Sequence, residues 1–68
     1  MNKFITLTDA CTDNKVIINT YYIAYMIQYK TNNTIIYFTS VLNTKSLGDL
    51  ACVLVKESLE EVQRKIYL

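Results

Sequence analysis

The C-terminal run of residues 55–66 constrains the fold most, because an extended β-branched segment turns there into a capped helix. Ser58 followed three residues later by Glu61 is the pattern of a capping box, in which each side chain bonds the other residue's backbone amide. Glu60 and Glu61 lie in the first turn, and Arg64 and Lys65 follow four positions later. These charges interact favourably with the helix dipole and can form i,i+4 ion pairs, so they stabilise the helix. The apolar stripe consists of Leu59, Val62 and Ile66. The run therefore predicts a helix over residues 58–67 that closes a sheet.

The length of the chain limits the core that it can bury. Sixty-eight residues predict one small β-rich domain, 1–68, near the size at which burial barely offsets the entropy of ordering the chain. Stabilisation by a disulfide, a metal or a partner is therefore expected. The chain has no histidine, and its two cysteines, Cys11 and Cys52, lack metal-site spacing; Cys52 lies in an apolar run typical of a buried thiol. We predict no metal, no cofactor and no structural disulfide, and favour a homo-oligomer.

The charges of the chain select no partner. Seven basic and six acidic residues give a formal net charge of +1 without a block of like charge. A nucleic-acid-binding protein usually carries a basic stripe, and a helix at a membrane surface a cationic face. The sequence shows neither pattern, no apolar run long enough to span a bilayer and no secretory h-region. We expect a cytoplasmic protein, or a virion-associated one if a phage encodes it, without membrane contact.

Five segments have the composition of β-strands, with polar turns between them. They span residues 4–8, 15–18, 23–30, 34–39 and 50–55. Residues 23–30 alternate with a period of two, which favours a strand over the competing helix across residues 19–30. The sequence therefore predicts an α+β fold: a small antiparallel sheet, or a barrel-like β-sheet, of four to five strands closed by one C-terminal helix.

Three connections have distinct turn chemistry. Asn19 begins a break over residues 19–22, where a corner or a single helical turn is expected. Residues 31–33 are predicted to form a hairpin turn in which asparagine supplies the positive φ. Residues 40–49 contain the sole glycine, Gly48, and are predicted to turn as well.

The apolar surface of the predicted sheet exceeds what one short helix can cover. Residues 50–55 are apolar throughout, which indicates burial on both faces, by the helix on one side and by a second subunit on the other. A period of two puts Tyr25 and Tyr29 on one face with Ile23 and Ile27. Such a face lines a core or an interface, with the tyrosine hydroxyls at its wet edge. The candidate interface residues are Tyr25, Tyr29, Tyr37, Val53 and Val55.

The same tyrosines support an alternative, because aromatic residues interleaved with lysine on a sheet can stack bases. The candidate nucleic-acid contacts are Lys15, Lys30, Tyr25 and Tyr29. We favour the protein interface, because a nearly neutral chain gains little affinity from counterion release.

No residue pattern points to catalysis. The lack of histidine removes the commonest general base, and the single glycine, Gly48, cannot form a glycine-rich phosphate loop. Glu60 and Glu61 are explained by the helix, and the aspartates lie in predicted turns, where Asp commonly bonds the backbone. We predict that the protein is not an enzyme, has no catalytic residues and takes no small-molecule substrate.

The order of these elements resembles the FlbD-type small proteins, first described with flagellar operons, and similar short proteins of unassigned role in Bacteroidetes and their phages. The matching segments are residues 4–8, 16–19 with Ile23, 33–37 and 55–62. The Asn-Gly turns usual in such proteins are replaced by residues 9–14 and 41–49. The resemblance implies a non-enzymatic accessory protein without catalytic residues.

Three functional hypotheses follow. The leading one is a non-catalytic interaction or structural module that acts through an oligomeric β-surface. An alternative is a small RNA- or DNA-binding regulator, because five short strands and a helix are coarsely similar to carbon-storage-regulator-type dimers, although the glycine-rich and basic elements expected there are missing. A third is a phage virion or host-takeover accessory protein.

Overall fold

The computed structural model describes residues 3–39 and 51–68. Within them the elements follow in the order β1 Phe4–Thr8, β2 Lys15–Asn19, a 3₁₀ turn Thr20–Tyr22, β3 Ile23–Tyr29, β4 Asn33–Phe38, β5 Cys52–Val55 and α1 Leu59–Tyr67. The predicted positions of the strands and of the C-terminal helix are confirmed to within two residues. The predicted turn over residues 40–49 and the predicted strand start at Leu50 lie outside the described residues.

The strands form two antiparallel sheets. β1 pairs with β2, and a second sheet has the order β3-β4-β5. One isolated bridge between Asp9 and Val55, next to a 2.9 Å bond from the Lys56 amide to the Thr8 carbonyl, joins β1 to β5. The prediction of four to five strands in one sheet or barrel-like sheet is wrong. The chain turns at Asp9, whose carboxylate accepts from the Cys11 amide at 2.8 Å, and so β1 ends after this single bridge.

A 3₁₀ turn connects the two sheets. The Asn19 side chain accepts from the Tyr21 amide at 3.0 Å and caps the turn. The Thr20 amide donates to the Lys3 carbonyl at 2.8 Å, which holds the turn against the start of β1. The predicted corner at residues 19–22 is confirmed, and the competing helix across residues 19–30 is wrong, because extended backbone resumes at Ile23.

A β-bulge at Ala24 changes which side chains of β3 share a face. Ile23 pairs with Phe38, whereas Tyr25 pairs with the residue just before Phe38, so Ala24 has no partner on β4. The extra residue turns Ile23 onto the face of Met26, and both pack against the core. The prediction that Ile23 shares a face with Tyr25 is therefore wrong.

The hairpin between β3 and β4 turns at residues 30–32. Lys30, and not an asparagine, has the positive φ there, 56°. The prediction that asparagine supplies this conformation is wrong, because Asn32 lies in the turn without a positive φ and Asn33 already lies in β4. A left-handed backbone costs a lysine about 1 kcal/mol or more, since its Cβ crowds the following carbonyl.

The core lies between the inner sides of both sheets and α1. Its buried side chains are Ile5, Leu7, Ile18, Ile36, Val55 and Val62. Of the predicted helix stripe, Val62 is fully buried, and Leu59 and Ile66 are half-buried. α1 therefore covers one side of the three-stranded sheet.

At the helix start, the predicted ion pair and one of the two predicted capping-box hydrogen bonds form, whereas the Ser58 amide makes no bond to the Glu61 carboxylate. The Ser58 hydroxyl accepts from the Glu61 amide at 3.2 Å, and the Glu60 carboxylate lies 3.8 Å from the Arg64 guanidinium. The Lys65 ammonium donates to the Thr6 carbonyl at 3.2 Å and so ties the helix to β1. In residues 3–39 and 51–68, no helix combines the length and the apolarity needed to cross a membrane.

Candidate interaction surface

The three-stranded sheet has an inner side toward the core and an outer side away from it. Ile36 and Val55 are buried on the inner side, so their neighbours Ile35 and Leu54 point outward by the alternation of a strand. We call the second side the outer face. Its side chains are Tyr25, Ile27, Tyr29, Asn33, Ile35, Tyr37, Cys52 and Leu54.

The strand register arranges the outer face in three cross-strand rows. The rows are Tyr25 with Tyr37 and Cys52, Ile27 with Ile35 and Leu54, and Tyr29 with Asn33. An aliphatic row thus lies between two rows that contain tyrosine. Neighbours in such rows are close enough for their side chains to pack.

The outer face is apolar and accessible. The exposed fractions of Tyr25, Ile27 and Tyr29 are 50%, 43% and 40%. The Tyr25 and Tyr37 rings stack with their centroids 4.6 Å apart and their planes at 19°. Single exposed apolar residues are normal on a protein surface, but a contiguous patch marks a site of interaction. The stacked tyrosine pair beside the aliphatic row is such a patch.

The predicted nucleic-acid contacts are divided between the two sheets. The Lys30 ammonium lies 5.5 Å from the centroid of the Tyr29 ring, in a cation–π contact at the rim of the outer face. Lys15 begins β2 in the other sheet, where its ammonium donates to the Thr8 hydroxyl at 3.1 Å. The structure therefore brings Tyr29 and Lys30 together and leaves Lys15 apart from the face.

Two of the predicted interface residues lie on the wrong side of the sheet. Val55 is fully buried, and Val53 is half-buried against the core. The register pairs Val53 with Ile36 and Val55 with Thr34, both of which face inward. Val55 is therefore unavailable to a partner, and Val53 lies on the core side of the sheet and not on the outer face. The apolar sequence of β5 correctly indicated that some of its residues are buried. It did not indicate which of them face the core and α1.

Two residues of the outer face escaped the sequence reasoning. Ile35 and Leu54 occupy its centre beside Ile27. Ile35 could have been predicted, because it lies two residues before Tyr37 in β4 and alternate residues of a strand share a face. Leu54 required the pairing of β5 with β4, which no local pattern supplies.

Cys52 is exposed and not buried as predicted. It pairs with Tyr37 on the outer face, which no described residue covers. Cys11, in the turn after β1, is also an exposed free thiol. An apolar sequence context is thus no guide to burial when one face of the sheet is open.

The carboxylates near the sheet junction support the fold. Glu57 accepts from the Thr8 amide at 2.9 Å and from the Thr8 hydroxyl at 3.0 Å. Burial raises the pKa of Glu57, but the hydrogen bonds from Thr8 and from the Glu57 backbone, together with the charge of Lys65, hold the pKa below its ordinary value. A hydrogen bond from Lys56, helped by its charge, lowers the pKa of Asp13. Both carboxylates stay ionised near neutral pH, and their oxygens accept hydrogen bonds from neighbouring residues of the fold. These contacts are typical of structural carboxylates.

The other surface features are weaker candidates. Within residues 3–39 and 51–68, no three acidic or cysteine side chains come close enough to hold a metal ion. A surface depression of about 300 Å³ runs along α1 between Glu60 and Leu68 and contains no buried polar side chain. On the outer side of the two-stranded sheet, Ile17 is 72% exposed but pairs with a threonine, Thr6.

The outer face of β3, β4 and β5 is therefore the best-defined candidate surface of the described chain. Comparison with protein-family models, with curated proteins and with solved structures found no match to the chain.

Proposed function

We propose that the protein is a non-catalytic interaction module that binds a protein partner through the outer face. The observation that carries the proposal is the aliphatic row of Ile27, Ile35 and Leu54, on the side of the sheet away from α1 and beside the stacked pair of Tyr25 and Tyr37. Protein interfaces combine such an apolar centre with tyrosines whose hydroxyls reach the wet rim. Because α1 packs on the inner side, the helix of the described chain contributes to folding and does not lie over this face, which supports the binding of another molecule there.

The chemistry of the face agrees with binding and not with turnover. Its eight side chains include no carboxylate, no amine and one thiol, Cys52, and the ammonium of Lys30 lies outside them at the rim. The ionised carboxylates Asp13 and Glu57 are engaged elsewhere by Lys56 and Thr8. A non-enzymatic accessory role is also what the resemblance to FlbD-type small proteins implies.

The test compares matched charge substitutions on the two sheets. Ile27→Lys places a charge at the centre of the outer face, and Ile17→Lys places the same charge on the exposed side of the other sheet. We expect wild-type protein and Ile17→Lys to self-associate in light scattering or to retain a protein partner in affinity capture. Ile27→Lys should lose both properties, because an apolar interface does not tolerate an unpaired ammonium. A wild-type protein that stays monomeric up to about 300 µM and captures no partner would refute the proposal.

A second candidate function is RNA or DNA binding. The contact between Lys30 and the Tyr29 ring favours it, because a cation beside exposed aromatic rings is the arrangement on which single-stranded bases stack. This reading predicts salt-dependent retention on heparin and a mobility shift with random RNA. Tyr25→Ala combined with Lys30→Ala should abolish the shift. No shift at low salt would exclude this candidate.

The biological setting remains part of the proposal. A phage virion or host-takeover component would use the same surface in a different context. The neighbouring genes distinguish that setting from a flagellar or other cellular one: capsid or tail genes beside this gene would support it, and flagellar genes would support the FlbD-type resemblance.

A further inference from the structure

We infer that the partner of the outer face is a second copy of this chain, and that two outer faces pack against each other around a two-fold axis. This inference rests on the proposed function, because it names the partner of the same surface. It makes the protein a face-to-face homodimer in which two three-stranded sheets enclose a second apolar core.

The charge distribution favours a second copy. None of the eight outer-face side chains is charged, although the chain has seven basic and six acidic residues elsewhere. In a two-fold interface the same patch occurs on both partners, so a charge near the axis meets its own copy and is repelled. A charge-free patch avoids this penalty. A patch made for a nucleic acid would instead be expected to carry several cations.

The limited core of the monomer points the same way. The core of the described chain has six buried apolar side chains, all on the inner side of the sheets. A domain of this size gains little net stability from one such core, and pairing of subunits is a common supplement. Dimerisation would bury Ile27, Ile35 and Leu54 between two sheets. It would therefore increase the buried apolar area per subunit without requiring a longer chain.

The dimensions of the face indicate the strength of the contact. Three strands spaced by about 4.8 Å, of which the longest, β3, has seven residues, give a face of roughly 14 by 23 Å. The area of such a face, roughly 320 Å², is less than half of the area of about 800 Å² per partner that specific interfaces usually bury. Because so small a contact gives a weak dimer, the range to be tested is a dissociation constant of roughly 1–100 µM.

The row order identifies the residues nearest the axis. The aliphatic row lies between the Tyr25 and Tyr29 rows, so it is central in the face. Sheets that pack face to face lie about 10 Å apart with their strands rotated by about 30°, which brings the centres of two equal faces together. Within this row Ile35, on the central strand β4, lies nearest the axis, and Ile27 lies one strand spacing away, about 4.8 Å. Long charged side chains introduced at position 27 of both copies can therefore reach one another across the interface.

The experiment is sedimentation equilibrium of the full chain from 1 to 300 µM, under reducing conditions so that Cys52 cannot crosslink. Wild-type protein should show a monomer–dimer equilibrium in the range estimated above. Ile27→Lys should raise the dissociation constant at least about 100-fold, because two ammonium groups would be buried together. Ile17→Lys is the matched control and should leave it unchanged. An equimolar mixture of Ile27→Lys and Ile27→Glu should form dimers that neither variant forms alone, and circular dichroism should show that every variant is folded.

Each other outcome has a defined meaning. A wild-type monomer that binds RNA, or another protein, with loss on Ile27→Lys would overturn the homodimer; for a protein partner the proposed function would survive. A dimer that is insensitive to Ile27→Lys, or a charge mixture that does not pair, would overturn the face-to-face arrangement. If the wild-type protein is monomeric and Ile27→Lys lowers its melting temperature far more than Ile17→Lys does, the chain covers this face itself, and both proposals fail.

Discussion

Glu57 receives two hydrogen bonds from Thr8, one from the amide at 2.9 Å and one from the hydroxyl at 3.0 Å. The Glu57 carbonyl accepts a third bond, at 2.9 Å, from the fully buried hydroxyl of Thr34. One residue between β5 and α1 therefore bonds to β1 in the first sheet and to β4 in the second. This contact holds the two sheets in place where their strands share only a single bridge.

Glu57→Ala should be one of the more destabilising changes at a partly exposed position. It removes the acceptor for both Thr8 donors, and hydrogen bonds to a charged group contribute about 2 kcal/mol. For a chain of this size the melting temperature should fall by roughly 10 °C, measured by circular dichroism. Glu60→Ala, which removes an exposed carboxylate 3.8 Å from Arg64, is the control and should cost under about 0.5 kcal/mol. Equal losses in the two variants would show that the Thr8 contact contributes nothing.

The same contact predicts a loss of stability in acid. The pKa of Glu57 in the folded protein lies below its ordinary value of 4.5, because the Thr8 bonds, with smaller effects of the Glu57 backbone and the Lys65 charge, together outweigh the effect of burial. Its contribution is therefore complete above pH 4.5 and is lost as the pH falls through the folded-state pKa. The free energy of unfolding, measured in urea from about pH 6 to pH 3, should fall over the acid part of this range. Glu57→Gln should flatten the decline more than Asp13→Asn does, because Asp13 is exposed. An unchanged pH profile in Glu57→Gln would contradict this assignment.

Val62→Ala should destabilise the protein through the inner core. Val62 is fully buried where α1 meets the two sheets, so the shorter side chain leaves a cavity that costs about 2 kcal/mol. Urea unfolding measures the loss. Gln63→Ala, at the next and exposed position, should change stability by less than about 0.5 kcal/mol. A mild effect of Val62→Ala would mean that α1 does not dock on this side.

Lys30→Gly should stabilise the β3–β4 hairpin. The φ of 56° at Lys30 is unfavourable for lysine and natural for glycine, and the net gain is about 0.5 kcal/mol after the added entropy of the unfolded chain. Thr31→Gly, at the next turn position, where φ is not positive, should instead destabilise by a similar amount. Thermal unfolding of both variants, compared with wild type, tests the sign. A loss of stability in Lys30→Gly would show that its contact with Tyr29 outweighs the backbone strain.

The sequence by itself determined the elements whose signals are local. The Ser58 cap, the apolar stripe ending at Ile66 and the Asn19 corner each depend on residues within a few positions, and the structure has all three. The alternation along residues 4–8 and 25–29 likewise reflects the two-residue period of a single strand. The shared face of Tyr25 and Tyr29 could therefore be predicted before any pairing was known.

Tertiary structure alone decided which surfaces those elements share. The bulge at Ala24 reversed the face of Ile23, and the single bridge at Asp9 divided the strands into two sheets. Val55 and Cys52, both in the same apolar run, ended at opposite extremes of exposure, because α1 covers only the inner side. Burial depends on contacts between segments distant along the chain, such as the pairing of Leu54 with Ile35. Local preference therefore specified the strands and the helix, and their packing specified the outer face.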